Sequence, residues 1–239
     1  MMGETVLGEE TSGLVEGLLK QGVKNQFIFM RHSARFYGED PELEPFMGLT
    51  PDGQDAALAL GGMLGALGAV STCSSYIGRC LETAYLLREG AGRFAGRHQM
   101  EVALSPFYVR DFALILKEIL KYDLFAFIRR WCRGLFPPEV ISPANEAAQT
   151  MAAFAEARIE GPSSGIMVGV THDWNLFALK EFCLGLFHEE CGKVNYLEGV
   201  VFYKEAERLM AASHQGEPKD VKKALEAAFK GECFEGRRA

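Results

Sequence analysis

Short apolar runs alternate along the chain with longer segments in which apolar residues recur every three or four positions. The short runs are typical of buried strands and lie at residues 26–30, 69–74, 102–104, 165–170 and 199–203. The longer segments predict helices at residues 51–68, 81–88, 111–133, 142–158, 174–186 and 219–230. Because strands and helices alternate, we predict an α/β fold, a three-layer αβα sandwich with a mostly parallel sheet.

The chain shows no boundary that would divide it. No linker rich in Pro, Gly or Ser interrupts the pattern, so we expect a single domain over residues 1–239. The segment 105–140 is predicted to be an inserted helical cap. Its aromatic residues are interleaved with lysine and arginine, which predicts a helix with a buried aromatic face and a solvated basic face.

Composition and charge exclude several classes of protein. The 239 residues are 48% hydrophobic and 24% charged, which is the balance of a globular protein, and the net charge of −7 argues against binding to nucleic acid or to an anionic membrane. The N-terminus lacks the pattern of a secretory signal, and the uncharged stretch 56–78 is rich in glycine and contains a serine and threonine cluster. We therefore expect a cytoplasmic protein without a membrane span.

The six cysteines follow no framework spacing. They include no CxxC pair, so a zinc site or a thioredoxin-type site is not expected. Free thiols in a reducing compartment are the simplest interpretation. The sequence predicts no metal and no cofactor.

Residues with reactive or anion-binding side chains follow three of the predicted strands. In open parallel sheets, ligands bind beyond the carboxyl ends of the strands, so residues that follow strands are expected to converge at one edge. The residues concerned are Arg31, His32, Arg35, Arg79, His172 and Asp173. In an acidic protein, such a local concentration of positive charge points to an anion site.

These residue types suit phosphoryl transfer without a metal. Three arginines can surround a dianionic phosphate with planar, forked donors. Their charge should lower the pKa of His32 and keep its imidazole nucleophilic. Asp173, at the predicted start of a helix, could protonate a leaving alkoxide and then activate water. Together these groups would transfer a phosphoryl group through a phosphohistidine.

Four motifs in order show a resemblance to a known family. The motifs are Arg31-His32-x-x-Arg35, Leu49-Thr50-x-x-Gly53, Ser75-x-x-x-Arg79-Cys80-x-x-Thr83-Ala84 and His172-Asp173. With them the chain resembles the histidine phosphatase superfamily, whose fold includes phosphoglycerate mutases and histidine acid phosphatases. The resemblance covers about residues 25–205 and implies the phosphoglycerate mutase-like fold.

The resemblance also implies roles for individual residues. His32 would be the phosphorylated nucleophile, and the phosphate pocket would consist of Arg31, Arg35, Arg79 and His172. The His-Asp pair looks like that of the acid-phosphatase branch, in which the aspartate is the proton donor. Asp173 is therefore the expected donor, with Asp111 in reserve. The mutase-like branch uses a glutamate after the third strand, and residues 104–108 contain none.

Two positions depart from the family pattern. Ser33 replaces the glycine that usually follows the nucleophile, which could crowd the backbone or place a hydroxyl near the phosphate. Tyr76 stands where a proline is common. Neither position removes a reacting group.

Other interpretations remain open. Cys73 and Arg79 form C-x5-R, the spacing of thiolate phosphatases, although a pair at this spacing is frequent by chance in a chain with this many cysteines and arginines. A mutase and a non-catalytic protein that binds a phosphorylated ligand are the alternatives to a phosphatase that acts on a small phosphomonoester. A functional hypothesis for the cap is that it closes over the substrate. Arg129 and Arg130 would then contact a second phosphate or acidic group of the substrate. The oligomeric state is not predicted.

Overall fold

The computed structural model describes residues 7–39, 41–92, 96–162 and 164–229. In these residues the strands are β1 (Gln26–Arg31), β2 (Val70–Ser74), β3 (Gln99–Met100), β4 (Ile166–Thr171), β5 (Gly199–Glu205), β6 (Arg208–Ser213) and β7 (Gly216–Asp220). The helices are α1 (Glu9–Lys20), α2 (Pro51–Leu67), α3 (Gly78–Ala91), α4 (Phe112–Lys121), α5 (Leu124–Cys132), α6 (Ala144–Glu160), α7 (Asp173–Leu184), α8 (His188–Cys191) and α9 (Val221–Phe229). Two 3₁₀ helices span Pro41–Phe46 and Val102–Leu104.

The strands form one sheet in the order β3-β2-β4-β1-β5-β6-β7. Strands β3, β2, β4 and β1 are parallel, whereas β5, β6 and β7 are antiparallel to their neighbours. Val170 of β4 is in register with Met30 of β1 and with Ser74 of β2. The carboxyl ends of these three strands therefore lie level with one another at one edge of the sheet.

The sheet separates two hydrophobic layers. Along β1, Phe27 and Phe29 pack into one cluster, and Ile28 and Met30 pack into the other. This alternation follows from the pleat of the strand, which turns successive side chains to opposite faces. The first cluster includes residues of α5, α6, α7 and α9, and the second includes residues of α1, α2 and α3. The predicted α/β sandwich is confirmed, and the antiparallel strands extend it on one side.

The uncharged stretch 56–78 is divided between α2, β2 and the start of α3. A Cβ added at Gly61 would lie 2.3 Å from the carbonyl oxygen of Leu87, and one added at Gly65 would lie 2.5 Å from that of Ala91. Glycine is therefore required where α2 crosses α3. Among the described residues, no helix is long and apolar enough to cross a membrane.

Three predicted elements need correction. Residues 102–104 form a 3₁₀ helix, and the third strand is the shorter Gln99–Met100 just before it. The predicted helix 111–133 is two helices, because Tyr122 is extended and the Asp123 side chain caps α5 by accepting from the N–H of Ala126 at 2.8 Å. The helix predicted for 219–230 begins at Val221, after β7, and its last residue, Lys230, lies outside the described part.

Candidate active site

The residues that follow β1, β2 and β4 line one cavity at the carboxyl edge of the sheet. The cavity has a volume of about 840 Å³. The predicted residues on its wall are Arg31, Arg35, Arg79, His172 and Asp173. His32 is 98% buried, since only 2% of its surface is exposed, and it contacts Arg79 from beneath this wall. The structure thus brings together all the residues that were predicted to converge.

Both ring nitrogens of His32 have defined partners. Nδ1 lies 2.8 Å from the carbonyl oxygen of Ser33, and Nε2 lies 3.0 Å from Nε of Arg79. Because a guanidinium can only donate, Nε2 accepts and Nδ1 carries the proton. Burial, and then the nearby His172, Arg79 and Arg31, hold the pKa of His32 well below its usual value. The direction of this pKa shift is the expected one, but burial contributes more than the arginines do.

His172 is a second buried, neutral imidazole in the site. Its Nδ1 lies 3.4 Å from Nη2 of Arg79, and its Nε2 lies 3.0 Å from Oγ of Ser75. Nδ1 therefore accepts, and Nε2–H donates to the serine. Burial is the main cause of its lowered pKa, followed by the charges of Arg79 and Arg31. The ring centroids of His32 and His172 are 5.7 Å apart, and Arg79 donates a hydrogen bond to each ring.

Arg31 is fixed by contacts on several sides. Its Nη2 lies 3.0 Å from Oδ2 of Asp173, and its Nη1 donates to the carbonyl oxygen of Val194 at 2.6 Å. Its guanidinium lies over the ring of Tyr196, 4.2 Å from the centroid. These three contacts position the guanidinium at the cavity wall.

Glu44, in the first 3₁₀ helix, faces two arginines. Its carboxylate forms an ion pair with Arg35, and its carbonyl oxygen accepts from Nη1 of Arg79 at 2.9 Å. Arg35 also lies over the ring of Tyr37, whose hydroxyl is 2.6 Å from that of Tyr196. An anion that enters this end of the cavity would compete with Glu44 for both guanidinium groups.

The two candidate proton donors occupy different surroundings. Asp173 is the first residue of α7 and lines the cavity, and its Oδ1 accepts from the N–H of Trp174 at 3.0 Å. Asp111 caps α4 by accepting from the N–H of Leu114 at 3.0 Å, and it is not among the described residues that line the cavity. The geometry favours Asp173 over Asp111.

The loop after His32 is held by residues of α2 and α3. A Cβ on Gly53 would lie 2.1 Å from the carbonyl oxygen of Ala34, so only glycine permits this approach. The hydroxyl of Ser33 donates to the carbonyl oxygen of Gly53 at 2.7 Å, and its N–H donates to Oγ1 of Thr83 at 3.1 Å. The Ser33 hydroxyl is thus bonded to the backbone of α2. Thr83 therefore holds the loop through its side chain.

The cysteine alternative receives little support from the geometry. Burial raises the pKa of the Cys73 thiol to about 12, which disfavours a thiolate nucleophile. Cys73 is not among the described residues that line the cavity. The five described cysteines are free thiols, and Cys233 lies outside the described residues.

The corrected third strand places a glutamate, Glu101, directly after it. Its carboxylate forms an ion pair with Arg158 of α6 and is absent from the described wall of the cavity. The wall at this point consists of Pro106 and Tyr108. Among the described residues, the carboxylates that line the cavity are those of Glu44 and Asp173.

Comparison with known proteins identifies the fold. No protein-family model matches the sequence, and no curated protein sequence matches it. A mycobacterial glucosyl-3-phosphoglycerate phosphatase is 18% identical, with 75% of this chain and 90% of that chain covered and a TM-score of 0.51. A phosphoglycerate mutase from Bacillus anthracis str. Sterne is 15% identical, with 87% and 97% covered and a TM-score of 0.54. YhfR of Bacillus stearothermophilus is 19% identical, with 79% and 95% covered and a TM-score of 0.56.

The chain therefore has the phosphoglycerate mutase-like fold, as its motifs implied. Structures of this fold include a phosphatase and a phosphoglycerate mutase, which are two of the three functions that the sequence left open.

Proposed function

We propose that this protein is a phosphatase that hydrolyses small phosphomonoesters through a phosphohistidine on His32. The observation that carries the proposal is the protonation and hydrogen bonding of the His32 imidazole. Its Nδ1–H is bonded to the carbonyl oxygen of Ser33, and its Nε2 lone pair points to Arg79 in a site with two further arginines. A neutral imidazole at an anion site has what a nucleophile toward phosphorus needs.

The proposed phosphate pocket consists of Arg31, Arg35, Arg79 and His172. The Nε–H groups of Arg31 and Arg35 are buried and have no hydrogen-bond acceptor among the described residues. Because unsatisfied buried donors are costly, a phosphate that supplied acceptor oxygens would be favoured here. Phosphate oxygens would also replace Glu44 on Arg35 and draw Arg79 away from the His32 lone pair.

The reaction would proceed in two steps. The lone pair of Nε2 of His32 attacks phosphorus, and the bond from phosphorus to the ester oxygen breaks. Asp173, protonated once the bound phosphate has replaced its carboxylate on Arg31, gives its proton to the leaving alkoxide. The Asp173 carboxylate then takes a proton from water, the water oxygen attacks phosphorus, and the P–N bond breaks to release phosphate and neutral His32. No metal or cofactor takes part in this scheme. A cytoplasmic location belongs to the same proposal.

The first experiment traps the intermediate. Protein mixed with p-nitrophenyl phosphate and quenched in alkali should gain the mass of one phosphoryl group, and acid should remove it. His32→Asn should neither gain this mass nor release nitrophenol, whereas Cys73→Ser should do both at the rate of the unmodified protein. Turnover by His32→Asn would overturn the proposal. Tight binding of phosphate without any turnover in the unmodified protein would instead favour a binding protein.

The second experiment identifies the proton donor. Nitrophenolate can leave without a proton, whereas the alkoxide of ethyl phosphate cannot. Asp173→Asn should therefore lose about 10²–10⁴-fold more activity on ethyl phosphate than on p-nitrophenyl phosphate. Glu44→Gln, the other carboxylate on the wall, should change both rates by a similar factor. The opposite pattern would assign the donor to Glu44.

A further inference from the structure

The cap forms part of the cavity wall. Each residue that α4 and α5 contribute to the described wall is apolar: Phe112, Ile115, Leu116, Ile119 and Leu124. Trp174 and Phe177 of α7 extend this surface toward Asp173. The cavity wall therefore combines cationic residues near His32 with apolar residues of the cap.

The basic residues of the cap are not among the described residues that line the cavity. Arg129 forms ion pairs with Glu181 of α7 and Glu189 of α8. Arg130 lies over the ring of Tyr122, 4.7 Å from the centroid. Arg129 and Arg130, which were expected to contact a second acidic group of the substrate, are engaged by these protein groups, and neither is among the described residues of the cavity wall.

Part of the apolar wall is not covered by the protein itself. Phe112 is 52% exposed and Leu124 is 37% exposed, although both line the cavity. The polar group of the buried Tyr108 is already satisfied, because its hydroxyl donates to Oδ1 of Asn175 at 2.9 Å. A sugar or polyol bound against the apolar residues of α4 and α5 would lose water without gaining hydrogen bonds from their side chains, whereas a hydrocarbon would gain from burial.

We propose that the site takes phosphomonoesters whose leaving group is a long or bulky hydrocarbon, an alkyl or aryl alcohol. This inference rests on the proposed phosphatase function and adds the substrate class. The arginines hold the phosphate, and Phe112, Leu116 and Ile119 receive the hydrocarbon. A volume of about 840 Å³ lies within the roughly 300–1,000 Å³ of sites that enclose drug-sized ligands, so there is room for both parts.

A homologous series of substrates tests the inference. The probes are ethyl, butyl, hexyl and octyl phosphate, each below its micelle concentration, with glycerol 3-phosphate as the polar comparison. We expect kcat/KM to rise by up to about fourfold for each added methylene, which corresponds to about 0.8 kcal/mol, and to be lowest for glycerol 3-phosphate. A flat series, or a preference for glycerol 3-phosphate over butyl phosphate, would overturn the inference.

Two variants on α4 locate the effect in the cavity. Phe112→Ser removes a ring from the wall and should lower the ratio of kcat/KM for octyl phosphate to that for ethyl phosphate at least fivefold. Leu114→Ser is the control, since Leu114 is 42% exposed on the same helix but is not among the described residues of the wall. It should leave the ratio unchanged. Equal ratios in the two variants would mean that the hydrocarbon binds elsewhere.

Binding of non-hydrolysable analogues separates the inference from the proposed function. Methylphosphonate, butylphosphonate and octylphosphonate are titrated into the unmodified protein by calorimetry. If affinity rises with chain length while no ester is hydrolysed, the hydrocarbon site stands and the phosphatase function fails. If esters are hydrolysed while neither affinity nor kcat/KM depends on chain length, the phosphatase function stands and the hydrocarbon site fails.

Discussion

Nε of Arg79 lies 3.0 Å from Nε2 of His32 and donates its proton to the histidine lone pair. This hydrogen bond orients the imidazole and also occupies the atom that would attack phosphorus. The same guanidinium reaches His172 through Nη2 and the carbonyl oxygen of Glu44 through Nη1. An incoming phosphate would therefore free the nucleophile. Its oxygens would accept from the Arg79 donors in place of His32 and leave Nε2 unoccupied beside the phosphorus atom.

Replacement of Arg79 by lysine keeps the positive charge but removes the planar guanidinium group with its several N–H donors. Lysine presents a point charge and cannot donate to His32, to His172 and to a phosphate in one fixed geometry. We expect kcat of Arg79→Lys on p-nitrophenyl phosphate to fall at least about 10²-fold, the typical loss when an oriented donor to a transition state is removed. Arg88→Lys, on the same helix, is the control. A kcat within threefold of that of the unmodified protein would show that the guanidinium group is unnecessary for the reaction.

The two buried imidazoles should remain neutral at pH 6.5, where ordinary histidines are about half protonated. The pKa values of His32 and His172 lie well below 6.5, so their ring proton resonances in NMR spectra should not shift between pH 7.5 and 6.5. Unfolding returns both pKa values to about 6.5. Stability from these groups is thus complete above pH 6.5 and is lost as the pH falls toward the pKa values of the folded protein.

The decrease in stability can be assigned by mutation. In His172→Asn, the unfolding free energy should fall less steeply with decreasing pH below 6.5 than in the unmodified protein. Parallel curves for the two proteins, or a ring titration centred near 6.5, would contradict the neutral assignment.

The site was predictable because its residues follow the strands directly. In a parallel sheet, the carboxyl ends meet at one edge whatever the order of the strands, so His32, Arg79 and His172 could be placed together without knowledge of the topology. Glu44 and Tyr196 were missed because neither of them directly follows a strand of the parallel part of the sheet. They lie in loops without hydrophobic periodicity, and no local signal indicates that either loop returns to the site.

Errors in the fold prediction have local physical causes. Strand β7 contains charged residues and Pro218, and such a strand is tolerated only at an edge, where it has no apolar alternation to detect. Helix α1 was also absent from the prediction, although its sequence does carry a helical signal. Val15 and Leu18 are apolar at helical spacing, and both are buried in the structure. The break between α4 and α5 was also readable, because Asp123 is a favoured N-cap residue in the middle of the apolar pattern.

Gly53 should be intolerant of a side chain, and Gly62 on the same helix should not be. Gly53→Ala places a Cβ 2.1 Å from the carbonyl oxygen of Ala34, so the loop behind His32 must move, at a cost of about 1–3 kcal/mol. Gly62→Ala meets its nearest atom, the carbonyl oxygen of Gly90, at 3.7 Å and should gain up to about 1 kcal/mol from helix propensity. Urea denaturation measures both, and equal effects would refute the role given to Gly53.

The buried ion pair of Lys180 and Glu198 should support the loop that holds Arg31. Nζ of Lys180 lies 2.6 Å from Oε1 of Glu198, and the other carboxylate oxygen accepts from the N–H of Asn195 at 2.7 Å. The next residue toward the N-terminus, Val194, accepts from Arg31. Lys180→Met leaves a buried carboxylate without its partner and should lower the unfolding free energy by about 3–5 kcal/mol.

A double variant distinguishes the loss of the charge partner from the loss of packing. Lys180→Met with Glu198→Gln removes the unpaired charge and keeps an amide oxygen for the N–H of Asn195, so it should recover part of the stability that Lys180→Met loses. Lys20→Met, which breaks an exposed ion pair with Glu16, should have little effect because such pairs contribute little. If the double variant unfolds at the same urea concentration as Lys180→Met, or at a lower one, the destabilisation comes from packing, and the ion pair does not stabilise the Arg31 loop.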